Sequence, residues 1–98
     1  MKTLGFHRLA QEEVRAAAER YAQESPALAG RFYDEIESVI RAIGEAPQRY
    51  RAFDPPCRRH FGSTFPYAVI YIEEADRIWI VAVAHFKQRP GYWKDRLR

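Results

Sequence analysis

The sequence predicts an α+β fold, a helical hairpin packed on one face of a mostly antiparallel four-stranded sheet, in the order strand, helix, helix, strand, strand, strand. Three observations predict it. Apolar residues recur at three- and four-residue steps between Ala10 and Ile43, the spacing that lines one side of a helix. Two runs of β-branched and aromatic residues, Phe65 to Tyr71 and Ile78 to His85, flank the polar Glu73-Glu74-Ala75-Asp76-Arg77, which is a β-hairpin pattern. Proline and glycine mark the joints, Pro26 between the two helical stretches and Gly44, Pro47, Pro55, Pro56 and Gly62 between the helical and hairpin blocks.

Residues 3–8 alternate weakly, Leu4 and Phe6 against Thr3 and Gly5, and read as a short first strand. Ala10 to Glu24 is alanine-rich and places Val14, Ala17, Ala18 and Tyr21 on one stripe, so a helix follows. Ser25-Pro26 ends it and begins a second: serine is suited to cap the free amides of a new first turn, and proline at the first helical position has no amide to satisfy. Leu28, Phe32, Ile36, Val39, Ile40 and Ile43 then form a continuous apolar face, which Gly44 and Pro47 close. From Glu45 to Pro56 three prolines and the rings of Tyr50 and Phe53 predict an ordered loop. Cys57 to Phe61 reads as a short strand and Gly62-Ser63-Thr64 as the turn into the long hairpin.

Two helices cover one face of such a sheet. Strict alternation puts Ala68, Ile70, Ile72, Ile78, Ile80, Ala82 and Ala84 on one side and Tyr67, Val69, Tyr71, Trp79, Val81, Val83 and His85 on the other. Small and branched aliphatics suit a close helix contact, so the first set is expected inward. The second set is then an aromatic and valine surface, a partner site unless the tail folds back over it.

Ninety-eight residues make one domain, 1–98, able to hold a modest core without staples. The single cysteine, Cys57, forms no internal disulfide, and no metal-ligand spacing, paired-carboxylate motif or glycine-rich phosphate loop occurs, so neither metal nor cofactor is expected. No run is long enough to span a membrane and the N-terminus lacks a signal-peptide core, which points to a cytoplasmic protein. The net charge of +3 is unevenly spread: residues 10–47 carry eight acids against four arginines, −4, leaving +7 on the remainder. Arg49, Arg51, Arg58 and Arg59 crowd the middle, and Lys87, Arg89, Lys94, Arg96 and Arg98 the end. A basic sheet-and-tail half implies an anionic partner, nucleic acid or an acidic protein segment.

The succession Phe6-His7, Tyr21, Ala29-Gly30-Arg31-Phe32-Tyr33, Ile36, Ile40, Ile43, Pro47, Tyr50, Arg58-Arg59, Phe65-Pro66-Tyr67, Ile70-Tyr71, Ile78, Ala82-Val83, His85, Arg89-Pro90, Tyr92-Trp93 and Arg96 resembles a RelE/ParE-family toxin of a bacterial type II toxin–antitoxin system. That resemblance covers nearly the whole chain and implies the element order derived above. It also implies growth arrest, neutralisation by a cognate antitoxin in a hetero-oligomer, and one of two targets. ParE-like members poison DNA gyrase, whereas RelE-like members are metal-independent endoribonucleases that cut ribosome-bound mRNA. Against the RelE pattern, Ser63 and Phe86 stand where catalytic arginines are expected, while Tyr92 matches a C-terminal catalytic tyrosine. The gyrase-poisoning reading is therefore preferred; a non-toxic nucleic-acid-binding module on the same fold is the further alternative.

If the chain is a nuclease, His85 is the candidate general acid–base because imidazole titrates near neutrality, with Lys87, Arg89 and Tyr92 completing the set. Arg59, Lys87, Arg89, Trp93 and Arg96 are the candidate target- or nucleic-acid-binding residues, by charge or by stacking. Arg58 and Arg59 are adjacent on a strand and point to opposite faces, and Arg59 is favoured. Trp93 also reads as an anchor of the tail on the sheet. Tyr67, Val69, Tyr71, Trp79 and Val81 are the candidate antitoxin-binding surface, open to an added strand or helix.

Overall fold

A computed structural model describes residues 2–97. Strand β1 (Thr3–Phe6) leads into helices α1 (Arg8–Glu24) and α2 (Pro26–Glu45), followed by β2 (Ala52–Asp54), β3 (Cys57–Phe61), β4 (Tyr67–Glu73), β5 (Arg77–His85) and a closing 3₁₀ turn, Lys94–Leu97. The sheet has five strands in the order β1-β5-β4-β3-β2, with β1 parallel to β5 and the other pairs antiparallel.

The additional strand corrects the expectation of four. Ala52–Asp54 pairs with β3, Ala52 opposite Arg58 and Asp54 opposite Cys57. Two prolines follow at the turn, leaving a three-residue edge strand too short and irregular to announce itself by alternation.

Local chemistry explains the joints. His7 ends β1 by donating its amide to the Ile80 carbonyl at 2.9 Å, then caps α1 through Nδ1, which accepts from the Leu9 amide at 3.0 Å. Ser25 separates the helices in extended backbone, φ −165°, with Pro26 behind it as anticipated. Its hydroxyl makes no capping hydrogen bond; its amide instead closes α1 on the Tyr21 carbonyl at 3.0 Å. The β3–β4 turn is clamped by Glu35, whose carboxylate accepts from the Thr64 and Phe65 amides at 2.9 and 2.8 Å and from the Ser63 hydroxyl at 3.1 Å. Partial burial opposes ionisation of Glu35, but these donors outweigh it and hold its carboxyl below the usual range. Gly62 is needed beside the clamp, because a Cβ there would meet the Phe65 carbonyl oxygen at 2.9 Å.

Ile78 and Ile80 face the helices as expected, but along β4 and at the end of β5 the helices pack on the face that alternation had left open. Tyr67, Val69 and Tyr71, together with Ile78, Ile80 and Val83, form one core with Phe32, Ile36, Val39, Ile40 and Ile43 of α2 and the alanines of α1. Ile70, Val81, Ala82 and Ala84 lie in a second core on the opposite face, with Trp93 and Cys57. Two physical facts invert the expected assignment on β4 and at the end of β5. The helices, not the strands, supply the small side chains: Ala10, Ala17 and Ala18 are buried on α1, leaving room for tyrosine rings from the sheet. Strand β5 also carries a bulge. Tyr71 pairs with Ile80 but Ile70 pairs with Ala82, so Val81 has no opposite number, and Val81 and Ala82 both turn away from the helices while Ile80 and Val83 face them. Strict alternation over β5 therefore fails halfway along.

The buried tyrosines keep their hydroxyls satisfied. Tyr67 accepts from Arg20 Nη2 at 3.0 Å, and Tyr71 donates to the Pro47 carbonyl at 2.5 Å. Burial pushes the Tyr71 phenol up to about 12. Phe32 centres an aromatic cluster, its ring 5.1–5.4 Å from Tyr21, Phe65 and Tyr67.

One pH dependence follows from β3. The His60 ring stacks on Tyr50 at 3.8 Å, and burial lowers its pKa below 6.5. The folded protein thus holds the neutral imidazole while the unfolded chain takes up the proton first, so the stability from this site is complete above pH 6.5 and drains as pH falls through the folded-state value. Urea denaturation of wild type should show stability falling between pH 7 and 5, and His60→Phe, which keeps the stack, should flatten that fall. Equal slopes in the two proteins would remove His60 as the cause.

Candidate functional site

Strand β5 outlasts its neighbour. β1 stops at Phe6 opposite Ile80, so the backbone of β5 beyond that point has an open edge. Side chains from two distant segments fill it. Glu13 of α1 accepts the Val83 amide at 2.9 Å, and Arg96 of the 3₁₀ turn donates to the Val81 carbonyl at 3.2 Å. The two also hold each other: Arg96 Nη1 and Nη2 reach the two Glu13 carboxylate oxygens at 3.0 and 2.9 Å. Tyr92 completes the node, its hydroxyl donating to Glu13 at 2.6 Å. Burial and the adjacent carboxylate both push the Tyr92 phenol well above its usual range, so it stays protonated.

This node ties down the tail, and Gly91 lets the tail arrive there. Its φ of 74° lies in the left-handed region open chiefly to glycine and turns the chain back toward the sheet. Trp93 then buries itself on the helix-free face, 3% exposed, its ring 5.6 Å from Phe53. Between tail and strands remains a groove of 390 Å³. Ile70 and Ala84 line it together with Phe53 and Trp93, and Phe61 and Phe86 stand at its mouth, 47% and 55% exposed. These two rings meet edge to face at 5.6 Å. Arg59, Arg89 and Lys94 bring cations to the groove, and Lys94 is bridged at 3.0 Å to Asp54.

The sequence-derived candidates divide sharply. Arg59 faces this groove while Arg58 turns the other way to the Tyr50 carbonyl at 2.9 Å, as expected of strand neighbours. Arg89, His85 and Tyr92 line the groove as well. Lys87 is exposed and takes no part in the lining. The His85 ring packs edge-on against Tyr67 at 5.1 Å, and its Nδ1 accepts the Lys87 amide at 3.0 Å, shaping the strand end. Tyr92 and Arg96 are committed to Glu13, and Trp93 is too deep to stack on a base, which corrects its assignment, and that of Arg96, as free target-binding groups. Ser63 belongs to the Glu35 clamp. Arg98 lies outside the described residues.

The expected antitoxin-binding surface is corrected too. Tyr67, Val69, Tyr71 and Val81 are at most 4% exposed within this chain: the first three lie under the helices, while Val81, on the helix-free face as expected, is buried in the second core with Trp93 of the tail. Only Trp79 keeps exposed surface, its ring against Gly5 and under the Arg77 guanidinium at 4.1 Å. An apolar groove of 460 Å³ does exist elsewhere, lined by Phe6, Val14, Tyr33, Ile36 and Ile40 with Asp34 and Glu37 beside them.

Sequence reasoning missed Glu13, which sits in the polar run Gln11-Glu12-Glu13. Its signal was position: Ala10, Glu13 and Ala17 lie three and four residues apart, on the buried stripe.

With this element order and edge chemistry established, comparison decides the family. The family described as ParE toxin of type II toxin-antitoxin system, parDE, matches residues 4–90. The chain belongs to the ParE toxin family. A solved structure described as the chromosomal ParDE toxin–antitoxin system from P. aeruginosa superposes with a TM-score of 0.77 at 16% identity, covering 87% of this chain and 96% of that one. At that identity the likeness establishes a ParE fold and nothing finer. No curated protein matches. Among the described residues, no helix of this ParE-family chain is long and apolar enough to cross a membrane.

Proposed function

We propose that the chain is the toxin of a type II toxin–antitoxin module, that it arrests growth by binding DNA gyrase, and that a cognate antitoxin neutralises it. Family membership supports the first statement. The observation that supports a binding mode over RNA cleavage is that the acid–base candidates are already engaged by other groups of the chain. A metal-independent ribonuclease must focus fixed cations and a proton donor on one phosphate. Here the Tyr92 proton is engaged by Glu13, the His85 ring rests on Tyr67, and Lys87 stands outside the groove. His85 and Tyr92 line the same groove as Arg59 and Arg89, so it is the engagement of the imidazole by the Lys87 amide and of the phenol by Glu13, rather than distance, that speaks against proton transfer there.

The antitoxin surface moves with the corrected faces. The groove lined by Phe6, Val14, Tyr33, Ile36 and Ile40 offers exposed apolar area of the kind an amphipathic segment covers.

The test is a supercoiling assay with purified gyrase beside primer extension on translated mRNA. Loss of supercoiling with intact mRNA is expected, unchanged in His85→Ala and Lys87→Ala. Codon-phased mRNA cuts that disappear in those variants would replace this reading with the RelE-like endoribonuclease. Normal growth on induction of the soluble, folded chain without antitoxin would leave only the non-toxic module.

A further inference from the structure

Arg59 is unusual among the cations of this chain. Its guanidinium lies 4.3 Å from the Phe53 ring centre and 5.2 Å from that of Phe61, and its Nε is shielded from solvent without a hydrogen-bond partner among the described residues. The rings hold the charged plane in place but accept no conventional hydrogen bond from it. A shielded donor on a charged group is costly when unmatched; Arg59 as a whole is only half-buried, and the group that best matches the rest of its planar guanidinium is a carboxylate. The groove that Arg59 enters is basic at Arg89 and Lys94 and apolar at Ile70 and Ala84.

We infer that this groove is a docking site for an acidic–apolar segment of a protein partner, with Arg59 taking its carboxylate and Phe61 and Phe86 flanking the adjoining apolar side chain. The inference deepens the binding-mode reading above by naming the chemistry of what is bound. Charge complementarity favours a protein segment over nucleic acid. Asp54 pairs with Lys94 at 3.0 Å, which leaves Arg59 and Arg89 as the unbridged cations of the lining among the described residues, enough for a single carboxylate and too few for a run of phosphates. The Phe61 and Phe86 rings are crossed at 84° and present no parallel slot for a base.

The experiment is an amide-shift NMR titration of the purified chain with three probes: a blocked seven-residue peptide carrying one glutamate among leucines, the same peptide with glutamine in its place, and a single-stranded hexauridylate. The glutamate peptide should shift Arg59, Phe61, Ala84 and Phe86 saturably, and the glutamine peptide should bind about tenfold more weakly, the scale of a lost charge-assisted pair. Arg59→Gln should abolish the difference between the two peptides, and Arg59→Lys should restore part of it. Phe86→Ala, at a largely exposed side chain outside both cores, should weaken the glutamate peptide several-fold. It provides a second reading should Arg59→Gln disturb the fold. Equal binding of the two peptides, no saturable shift with either, or stronger binding of hexauridylate than of the glutamate peptide would each overturn the inference. None of these outcomes depends on gyrase, so a negative supercoiling assay and a negative titration are separate results.

Discussion

Replacing Val69 with aspartate is expected to leave the protein unfolded at room temperature. Val69 is fully buried in the middle of β4, paired with Val83 on one side and His60 on the other, beneath the helices. No cation is paired there to receive a carboxylate. Burying an uncompensated charge costs several kcal/mol even when the group takes up a proton instead, and the whole stability of a domain this size is about 5–15 kcal/mol. Circular dichroism and urea denaturation check it, with Phe86→Asp as the exposed comparison, expected within about 1 kcal/mol of wild type. A cooperatively folded Val69→Asp with a similarly small loss would mean that the helices cover the other face of the sheet.

Glu13→Ala should cost about 3 kcal/mol, because it leaves a cation in place with its counter-charge removed. The Arg96 side chain is 9% exposed and that of Glu13 22%, so solvent replaces only part of what is lost. The Val83 amide and the Tyr92 hydroxyl lose their acceptor in the same step. For a chain of this length the melting temperature should fall by roughly 12–24 °C. A double-mutant cycle with Arg96→Met separates pair from packing: the double variant should be more stable than Glu13→Ala alone, since it no longer strands a buried cation. If Glu13→Ala shifts the midpoint no more than Glu12→Ala, whose parent residue lies on the solvent side of the same turn, the node holds nothing together.

Element type and order were legible because they depend on neighbours in sequence. The 3.6-residue recurrence from Leu28 to Ile43 defined α2, Ser25-Pro26 marked the joint before it, and the β-branched runs about Glu73–Arg77 defined the hairpin, all of which the structure bears out. The opposed directions of Arg58 and Arg59 followed from strand geometry alone. The edge strand β2 was less legible, because its two pairs with β3 contribute more than the local preferences of Ala52–Asp54.

What the chain by itself determined, then, is which segments are helical, which are extended, and in what order they come, together with a family resemblance carried along nearly its whole length. Tertiary structure alone decided which face of the sheet is covered and which charges are free. A period of two survives only while every residue has an opposite number, and the bulge at Val81 is a property of the β4–β5 pairing rather than of either strand. The node of Glu13, Tyr92 and Arg96 spans 83 residues of sequence, so no local pattern foretold that it would remove a tyrosine and an arginine from the basic tail. Arg59 lines the groove with aliphatic Ile70 opposite it on the sheet and the rings of Phe53 and Phe61 beside it, an environment that supplies no acceptor for its Nε among the described residues.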